Sequence, residues 1–240
     1  MTIAKGLFIT GSDTEVGKTE VTLGLIAALQ REGRTVLGMK PVAAGCTETA
    51  DGLRNEDAER IRAQASVQRG YENVNPYAFA PPIAPHIAAE QSGTSIVLGP
   101  IEDAYQRLAA NADWVLVEGV GGWRVPLGPT LTLADLPKTL ELPVLLVVGL
   151  RLGCLNHALL SAESIIASGL TLAGWAASHV DPEMAAAEAN VDTLRERLPA
   201  PCIGVLPWLP EPTPDRSAEH LNIAALKAHY TQSIPIHGTA

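Results

Sequence analysis

Residues 6–19 read GLFITGSDTEVGKT, which is an apolar run, a polar turn and then the triplet Gly17-Lys18-Thr19. The apolar run predicts a buried strand over Gly6–Thr10, and apolar positions at helical spacing after Lys18 predict a helix. A turn between a strand and a helix directs successive backbone N–H groups, and the positive end of the helix dipole, at one point. This stretch therefore predicts a phosphate-binding loop at the first turn of an α/β fold.

The side chains of this loop suit a phosphorylated ligand. Gly17 lets the backbone approach an anion closely, Lys18 can reach the outer phosphates, and the Thr19 hydroxyl can ligate Mg²⁺. The usual pattern has a glycine five residues before Gly17, where this chain has Ser12. The alternative is an ordinary strand-to-helix turn capped by a polar side chain. The position of the triplet between a strand and a helix favours the phosphate site.

Apolar runs alternate with segments of helical spacing along the rest of the chain. The predicted strands are Gly6–Thr10, Thr35–Lys40, Asp113–Glu118, Val144–Gly149, Leu170–Ser178 and Cys202–Leu206. The predicted helices are Lys18–Glu32, Asn55–Gln64, Ile101–Ala110, Leu133–Leu140, Asn156–Ser168 and Met184–Leu198. The strands are rich in Val, Ile and Leu without polar alternation, as in a parallel sheet covered on both faces. The pattern predicts a doubly wound, mainly parallel α/β sheet flanked by helices.

No repeat or low-complexity linker divides the 240 residues. We therefore expect a single domain over residues 1–240, with a frayed tail at 233–240. The segment Asn75–Pro85 (NPYAFAPPIAP) is rich in proline, which excludes a central strand or a helix interior. A second proline-rich stretch, Pro207–Asp215, predicts a loop.

Composition narrows the class of protein. The chain has 26 acidic and 17 basic side chains, a formal net charge of −9, and no block of Lys and Arg. This argues against nucleic acid or an anionic membrane as the main partner. The three cysteines are widely spaced without a C-x-x-C pair, which indicates neither a disulfide framework nor a zinc site. No apolar stretch is long enough for a membrane span or a signal peptide, so we expect a cytoplasmic protein.

Two acids and a second lysine lie where an α/β sheet holds its ligands. Glu118 ends a predicted strand and is followed by Gly119-Val120-Gly121-Gly122, where glycines let the backbone crowd a ligand. This position favours a metal-binding role for Glu118 over that of an ordinary loop acid. Asp57 is either a second metal ligand or an acid that favours a helix's first turn. Lys40 is either a solvated strand end or a second cation at the phosphates.

Other reactive or aromatic side chains are weaker candidates. Cys154 and His157 could form a nucleophile pair, but no orienting group accompanies them, and a capped helix start fits better. Trp208 follows the last predicted strand, where it either walls a nucleobase or packs against the protein.

Motifs along nearly the whole chain resemble the dethiobiotin synthetase family of ATP-dependent cyclo-ligases. The motifs are GSDTEVGKT (11–19), KPVAAG (40–45), LRNED (53–57), VNPYAF (74–79), APH (84–86), VEGVGG (117–122), LGCLNH (152–157), LAGW (172–175) and PWL (207–209). This many matches in one order are far more specific than any single motif.

The resemblance implies an activity. Such proteins close a cyclic urea from diaminopelargonic acid, CO₂ or bicarbonate, and MgATP, and they release ADP and phosphate. One substrate amine is carbamated, the carbamate attacks the γ-phosphate, and the second amine attacks the resulting mixed anhydride. This chemistry needs positioning and charge neutralisation more than a covalent nucleophile. The resemblance also implies a homodimer with substrate near the subunit interface.

The resemblance further implies roles for individual residues. Nucleotide contacts are implied for Glu15, Val16, Gly17, Lys18, Thr19, Glu20, Asp57, Glu118, Gly119, Val120, Gly121, Ser178, His179, Pro207, Trp208 and Leu209. Mg²⁺ contacts are implied for Thr19, Asp57 and Glu118, and substrate contacts for Ala44, Leu152, Gly153, Cys154 and Asn156. The implied catalytic residues are Lys40, which would stabilise the carbamate and the transferring phosphoryl group, Lys18, and Thr14, which would face the reacting centre.

The chain departs from the family's pattern at two places. Ala44 replaces a common Ser or Thr, so one hydroxyl contact to substrate is missing. Ser178 and His179 stand where the family often has an Asn that reads adenine. A site that lacks this amide discriminates bases less well, so we expect a relaxed nucleotide preference.

Two other families share the first turn. A partition- or septum-type P-loop ATPase switch has the same sheet order and acts through protein partners, but such switches carry an extra lysine where this chain has Asp13. An amidoligase of the cobyrinate type needs an added glutaminase domain, for which the remaining sequence leaves no room.

Overall fold

The computed structural model describes residues 5–233 as alternating strands and helices. In chain order the strands are β1 (Lys5–Gly11), β2 (Val36–Met39), β3 (Val42–Ala44), β4 (Thr47–Thr49), β5 (Gly52–Arg54), β6 (Tyr77–Phe79), β7 (Trp114–Gly122), β8 (Val144–Leu150), β9 (Leu172–His179) and β10 (Cys202–Leu206). The helices are α1 (Lys18–Arg31), α2 (Glu56–Gln64), α3 (Tyr71–Val74), α4 (Pro85–Gln91), α5 (Leu98–Ala109), α6 (Asp135–Thr139), α7 (Cys154–Ala167), α8 (Ala187–Arg197), α9 (Pro214–Ala218) and α10 (Ile223–Ser233). Of the predicted tail 233–240, residues 234–240 lie outside the described part of the chain.

Six strands form one sheet in the order β10-β9-β8-β1-β7-β2, and every neighbouring pair is parallel. All six strands predicted from the sequence lie in this sheet, and helices cover both of its faces. The predicted doubly wound fold is therefore confirmed. β1 lies between β7 and β8, so the loop after β1 opens at the centre of the sheet's carboxyl edge.

Alternate residues of β1 belong to two separate hydrophobic cores. Leu7 and Ile9 pack in the core that includes residues of α1, α2, α9 and α10. Phe8 packs in the other core, with residues of α5, α6, α7 and α8. Both faces of the sheet are thus buried, which is why the strand sequences are continuously apolar.

The strand that carries Glu118 is longer than predicted. The sequence suggested an end at Glu118, but β7 continues through the glycine-rich residues to Gly122. Glu118 pairs with Ile9, and after a register shift Gly122 pairs with Gly11. Two facing glycines carry no Cβ, so the extended chain can lie directly against the first loop. Glu118 is consequently an interior strand residue and is 0% exposed.

The remaining strands form small sheets that sequence periodicity did not reveal. β3 pairs with β6 in parallel, and β4 pairs with β5 in a hairpin. Each has three residues, which is too short for a periodic signal. β6 lies inside the proline-rich segment Asn75–Pro85, and its place outside the main sheet agrees with the exclusion of that segment from a central strand.

The helix that carries Asp57 packs closely on the edge strand. A Cβ on Gly38 of β2 would collide with the Ile61 side chain of α2. The absence of a side chain at Gly38 therefore lets α2 approach β2, and the first turn of α2 lies beside the end of β2. This contact brings Asp57 toward Lys40, which directly follows β2.

Of the helices within residues 5–233, none is both long enough and apolar enough to cross a lipid bilayer.

Candidate active site

The loop between β1 and α1 has the backbone that an anion site requires. Gly17 precedes α1 with a φ of 83°, and Glu15 also has a positive φ, of 55°. These left-handed residues turn successive N–H groups toward the same space at the helix N-terminus. A Cβ on Gly17 would lie 2.5 Å from the Ser178 hydroxyl oxygen, so β9 packs directly against this loop.

Lys18 is a buried cation that has little internal compensation. Its Nζ donates a hydrogen bond to the Asp13 carbonyl oxygen at 3.0 Å. Burial lowers the pKa of Lys18 to about 8, although the nearby Glu118 carboxylate opposes this shift. A buried ammonium with this pKa gains stability when a negatively charged ligand arrives.

Strand register brings Lys40 beside Glu118. Met39 of β2 pairs with Val117 of β7, so the next residues along each strand are neighbours. The Lys40 Nζ donates to Glu118 Oε1 at 2.6 Å and to Asp57 Oδ2 at 2.7 Å. Lys40 is only 4% exposed and is therefore not a solvated strand end. Its burial alone would lower its pKa, but Glu118 and then Asp57 outweigh burial, so the pKa of Lys40 is raised.

The two carboxylates retain acceptor capacity beyond Lys40. Thr19 Oγ1 donates to Glu118 Oε1 at 3.0 Å, whereas Glu118 Oε2 is buried without a hydrogen-bond partner among the described residues. Burial alone would raise the pKa of Asp57, but the charge and hydrogen bond of Lys40 outweigh burial and lower it. An unpaired buried carboxylate oxygen beside a hydroxyl is a donor set for a hard cation such as Mg²⁺.

A cleft of about 860 Å³ runs from the loop to the segment after β10. It collects most of the residues that were assigned by resemblance. Those in its lining are Thr14, Glu15, Val16, Gly17, Lys18, Thr19, Glu20, Lys40, Ala44, Asp57, Val120, Gly121, Ser178, His179, Pro207, Trp208 and Leu209. Trp208 lies in its wall, so the cleft connects the phosphate-binding loop with an aromatic side chain.

Several predicted residues lie outside the lining of this cleft. A Cβ on Gly119 would meet Leu133 and Phe8, so Gly119 faces the core. The predicted substrate residues Leu152, Gly153, Cys154 and Asn156 do not line it. Leu152 is 98% exposed, whereas Cys154 is buried as the first residue of α7. Glu20 lines the cleft, but its carboxylate pairs with Arg60 at 2.7 Å.

The helix α7 begins at Cys154 without a side-chain cap. Gly153 precedes the helix with a φ of 96°, and the Cys154 side chain points into the core beside Asn190. His157 is exposed. A thiol that is buried in this way is a packing residue, which argues against a nucleophile pair of Cys154 and His157.

An ion pair that the sequence did not suggest joins two loops of the site. Arg151 follows β8, and its guanidinium donates to Asp13 Oδ2 at 2.5 Å. The Thr14 N–H, and then Arg151, lower the pKa of Asp13 against the opposing effect of burial. The signal was a charged residue directly after Leu150, but its use required knowing that β8 lies beside β1.

The parallel sheet and the loop after its central strand define a P-loop nucleotide-binding protein. The fold is similar to a chain of the MinC:MinD cell division protein complex of Aquifex aeolicus, with a TM-score of 0.56, 15% identity, and coverage of 99% of this chain and 100% of that one. It is also similar to the signal recognition particle 54 kDa protein of Aeropyrum pernix, at a TM-score of 0.50, 18% identity, and coverage of 96% and 49%.

Sequence comparison defines the family more narrowly. A family model described as an AAA domain matches residues 5–216. The chain is 53% identical to the ATP-dependent dethiobiotin synthetase BioD of Pseudomonas aeruginosa PAO1, over 91% of this chain and 96% of the relative. It is 50% identical to the BioD of Cellvibrio japonicus, over 92% and 97%. The chain belongs to the ATP-dependent dethiobiotin synthetase family.

Nucleotide affinity should depend on the protonation of Lys18. With a pKa of about 8, Lys18 is mostly charged at pH 7 and mostly neutral at pH 9. Loss of this charge removes an attraction to the phosphates, so the dissociation constant for MgADP should rise about tenfold across this interval. Titration calorimetry at several pH values measures it.

Lys40 does not contribute to this change, because its pKa is raised above the usual 10.5. An affinity that stays constant from pH 7 to pH 9 would contradict the prediction.

Proposed function

We propose that this protein is a carbon–nitrogen ligase that makes dethiobiotin for biotin biosynthesis. Its substrates are diaminopelargonic acid, CO₂ or bicarbonate, and ATP, and its further products are ADP and phosphate. The observation that carries the proposal is the buried Lys40 ammonium between Asp57 and Glu118. Named synthetases about half identical to this chain, over some nine tenths of its length, support the same reaction.

The reaction balances without a covalent enzyme intermediate. One amine nitrogen bonds to the CO₂ carbon and loses a proton, which gives a carbamate. A carbamate oxygen then bonds to the γ-phosphorus of ATP while the bond to ADP breaks. The second amine attacks the carbonyl carbon, loses its proton and expels phosphate, which closes the ring. Negative charge gathers at the transferring phosphoryl group, and preorganised cations stabilise such charge.

Lys18 and Lys40 supply this positive charge from two different elements of the cleft. Lys18 belongs to the loop whose N–H groups, from Glu15 to Thr19, hold the nucleotide phosphates. Lys40 follows the edge strand β2 and lines the same cleft as Ala44. Thr14 lines the same cleft beside the reacting centre, and Trp208 with its neighbours borders the base.

We propose that Mg²⁺ binds with the nucleotide at Thr19, Asp57 and Glu118. The buried, unpaired Oε2 of Glu118 and the adjacent Thr19 hydroxyl support this assignment. Mg²⁺ is usually held in proteins by one or two carboxylates together with substrate phosphates. When bound, the ion neutralises phosphate charge, while the chain's own residues orient the nucleotide and the diamine.

The partition-type ATPase is not favoured as an alternative. The similarity to the chain of the MinC:MinD complex is one of fold, at 15% identity. The loop also has Asp13 where such switches carry a lysine, and Arg151 pairs with this acid. A lysine in place of Asp13 would bring a second positive charge next to Arg151.

Substitution of Lys40 tests the assigned chemistry. Lys40→Ala should lower kcat for dethiobiotin formation by about 10²- to 10³-fold, because a preorganised cation is lost from the reacting centre. The assay follows ADP release with diaminopelargonic acid, bicarbonate and Mg²⁺, omitting each component in turn.

Lys138→Ala is the control, because Lys138 is an exposed lysine on α6. ATP hydrolysis that does not depend on the diamine would contradict the proposed ligase and favour the switch.

We further propose that the nucleotide preference is relaxed. Ser178 packs against Gly17 and offers a short hydroxyl in place of an amide that could read a base edge. The values of kcat/KM for GTP and CTP should lie within about tenfold of the value for ATP, since uniform loss of a base contact weakens discrimination. Turnover with ATP alone would contradict this prediction.

We propose that the protein is a homodimer that pairs near α7. Leu152 is 98% exposed and Leu160 is 58% exposed, which leaves apolar surface next to Arg151 and the cleft. Exposed apolar surface of this kind favours association with a second surface.

Leu160→Lys should therefore shift the protein from dimer to monomer, as measured by light scattering after size-exclusion chromatography, because a charge disfavours burial in the interface. Val67→Lys is the control, since Val67 is an exposed apolar residue in the loop after α2. A monomeric wild type, or a dimeric Leu160→Lys variant, would refute the assignment.

A further inference from the structure

The motif VNPYAF (74–79) has no assigned chemistry, yet one of its side chains contacts the backbone of Lys40. The Asn75 Nδ2 donates to the Lys40 carbonyl oxygen at 2.6 Å and to the Tyr77 carbonyl oxygen at 3.1 Å. In addition, the Lys40 N–H donates to the Val74 carbonyl oxygen at 2.8 Å. Both backbone polar groups of Lys40 are therefore bound by this segment, which fixes where its side chain begins.

Tyr71 extends the contact to the helix of Asp57. The Tyr71 hydroxyl donates to Asn75 Oδ1 at 2.9 Å and accepts a hydrogen bond from the Asn55 N–H at 2.7 Å. Burial raises the pKa of this phenol, so it stays a neutral hydroxyl that both donates and accepts. Asn55 is the residue before α2, and its Oδ1 accepts from the Ala58 N–H at 3.1 Å.

Together with the ion pair of Lys40 and Asp57, these hydrogen bonds form a closed circuit. One path joins Lys40 to Asp57 directly, through the ion pair at 2.7 Å. The other path runs from the Lys40 carbonyl through Asn75 and Tyr71 to Asn55, and then along the first turn of α2. Because Lys40, Tyr71 and Asn75 are buried, their polar atoms depend on one another for partners.

We propose that Tyr71 and Asn75 are positioning residues, which hold the Lys40 ammonium and the Asp57 carboxylate in one fixed geometry for catalysis. They lie behind these residues and act through them. The inference rests on the proposed function only for its kinetic readout. Such positioning matters because a small misplacement of a catalytic group lowers the reaction rate steeply.

The nucleotide phosphates lie on a different support. The backbone of the loop that holds them is anchored by β1 and α1, whereas its Thr19 hydroxyl donates to Glu118 Oε1, which also accepts from Lys40. Loss of the Tyr71 hydroxyl should therefore disturb Lys40 and Asp57 directly, and the nucleotide indirectly through Asp57 and Glu118. The kinetic consequence is a decrease in kcat that is larger than the change in the KM for ATP.

The test replaces one hydroxyl and keeps the ring. In Tyr71→Phe the aromatic ring remains in place for the Arg54 guanidinium, which lies 4.2 Å from the ring centroid. The matched control is Tyr77→Phe. The Tyr77 hydroxyl also donates to a carbonyl oxygen and accepts from an N–H, both of Val97 at 3.2 Å, but it belongs to no circuit at Lys40. Each variant thus loses the two hydrogen bonds of one phenol hydroxyl.

Dethiobiotin formation is measured per folded site, and folded sites are counted by the stoichiometry of MgADP binding. Tyr71→Phe should lower kcat at least tenfold relative to Tyr77→Phe, with a smaller change in the KM for ATP. Equal kcat values in the two variants would overturn the proposal, as would a loss confined to the number of folded sites.

A spectroscopic measurement tests the positioning independently of turnover. The ¹⁵N resonances of lysine ammonium groups report their hydrogen-bond partners, and comparison with Lys40→Ala assigns the Lys40 signal. Tyr71→Phe should shift or broaden this signal, and Tyr77→Phe should leave it unchanged. If the wild type made no dethiobiotin, the proposed function would fall, and an unaltered Lys40 signal in Tyr71→Phe would separately overturn the positioning role.

Discussion

The ion pairs of Lys40 with Asp57 and Glu118 are the interaction on which the site depends. Moving charges out of water carries a large desolvation penalty, which good geometry and further hydrogen bonds have to offset. Here the three charged groups meet at 2.6 and 2.7 Å, and the neighbouring Thr19 hydroxyl adds a hydrogen bond. Removal of Lys40 would leave the buried Glu118 carboxylate without its ion-pair partner. The arrangement therefore constrains β2, β7 and α2 to one relative position.

The fold meets this constraint with short-range devices. Parallel strands present their carboxyl ends at one edge, so β1, β2 and β7 deliver the loop, Lys40 and Glu118 to neighbouring points. Glycine removes side chains where backbones have to approach, as at Gly38 under α2 and at Gly122 against the first loop. The site lies at the edge of the core, so residues such as Lys40 and Glu118 are both buried and part of the site.

The sequence predicted the parts of this structure that depend on long local patterns. Buried strands and the first loop have strong signals, since apolar runs and the GKT turn are contiguous. The end of β7 was misplaced because glycine usually breaks strands, whereas here it permits pairing. The contact of Lys40 with Glu118 depends on strand order and register, which adjacent residues do not encode. The Asp13–Arg151 pair and the Tyr71–Asn75 circuit likewise join residues that only the fold brings together.

The Lys40 ammonium is also an internal counter-ion for Asp57 and Glu118. Any divalent ion that uses the Asp57 and Glu118 oxygens has to compete with a counter-ion that is part of the chain and cannot diffuse away. A bare ion that displaced the Lys40 ammonium would leave this ammonium without a partner, so its binding would gain little free energy. An ion that arrives with phosphate brings a further anionic partner for the ammonium, which can stay beside the carboxylates. We therefore expect the site to bind a divalent ion more strongly together with phosphate than alone.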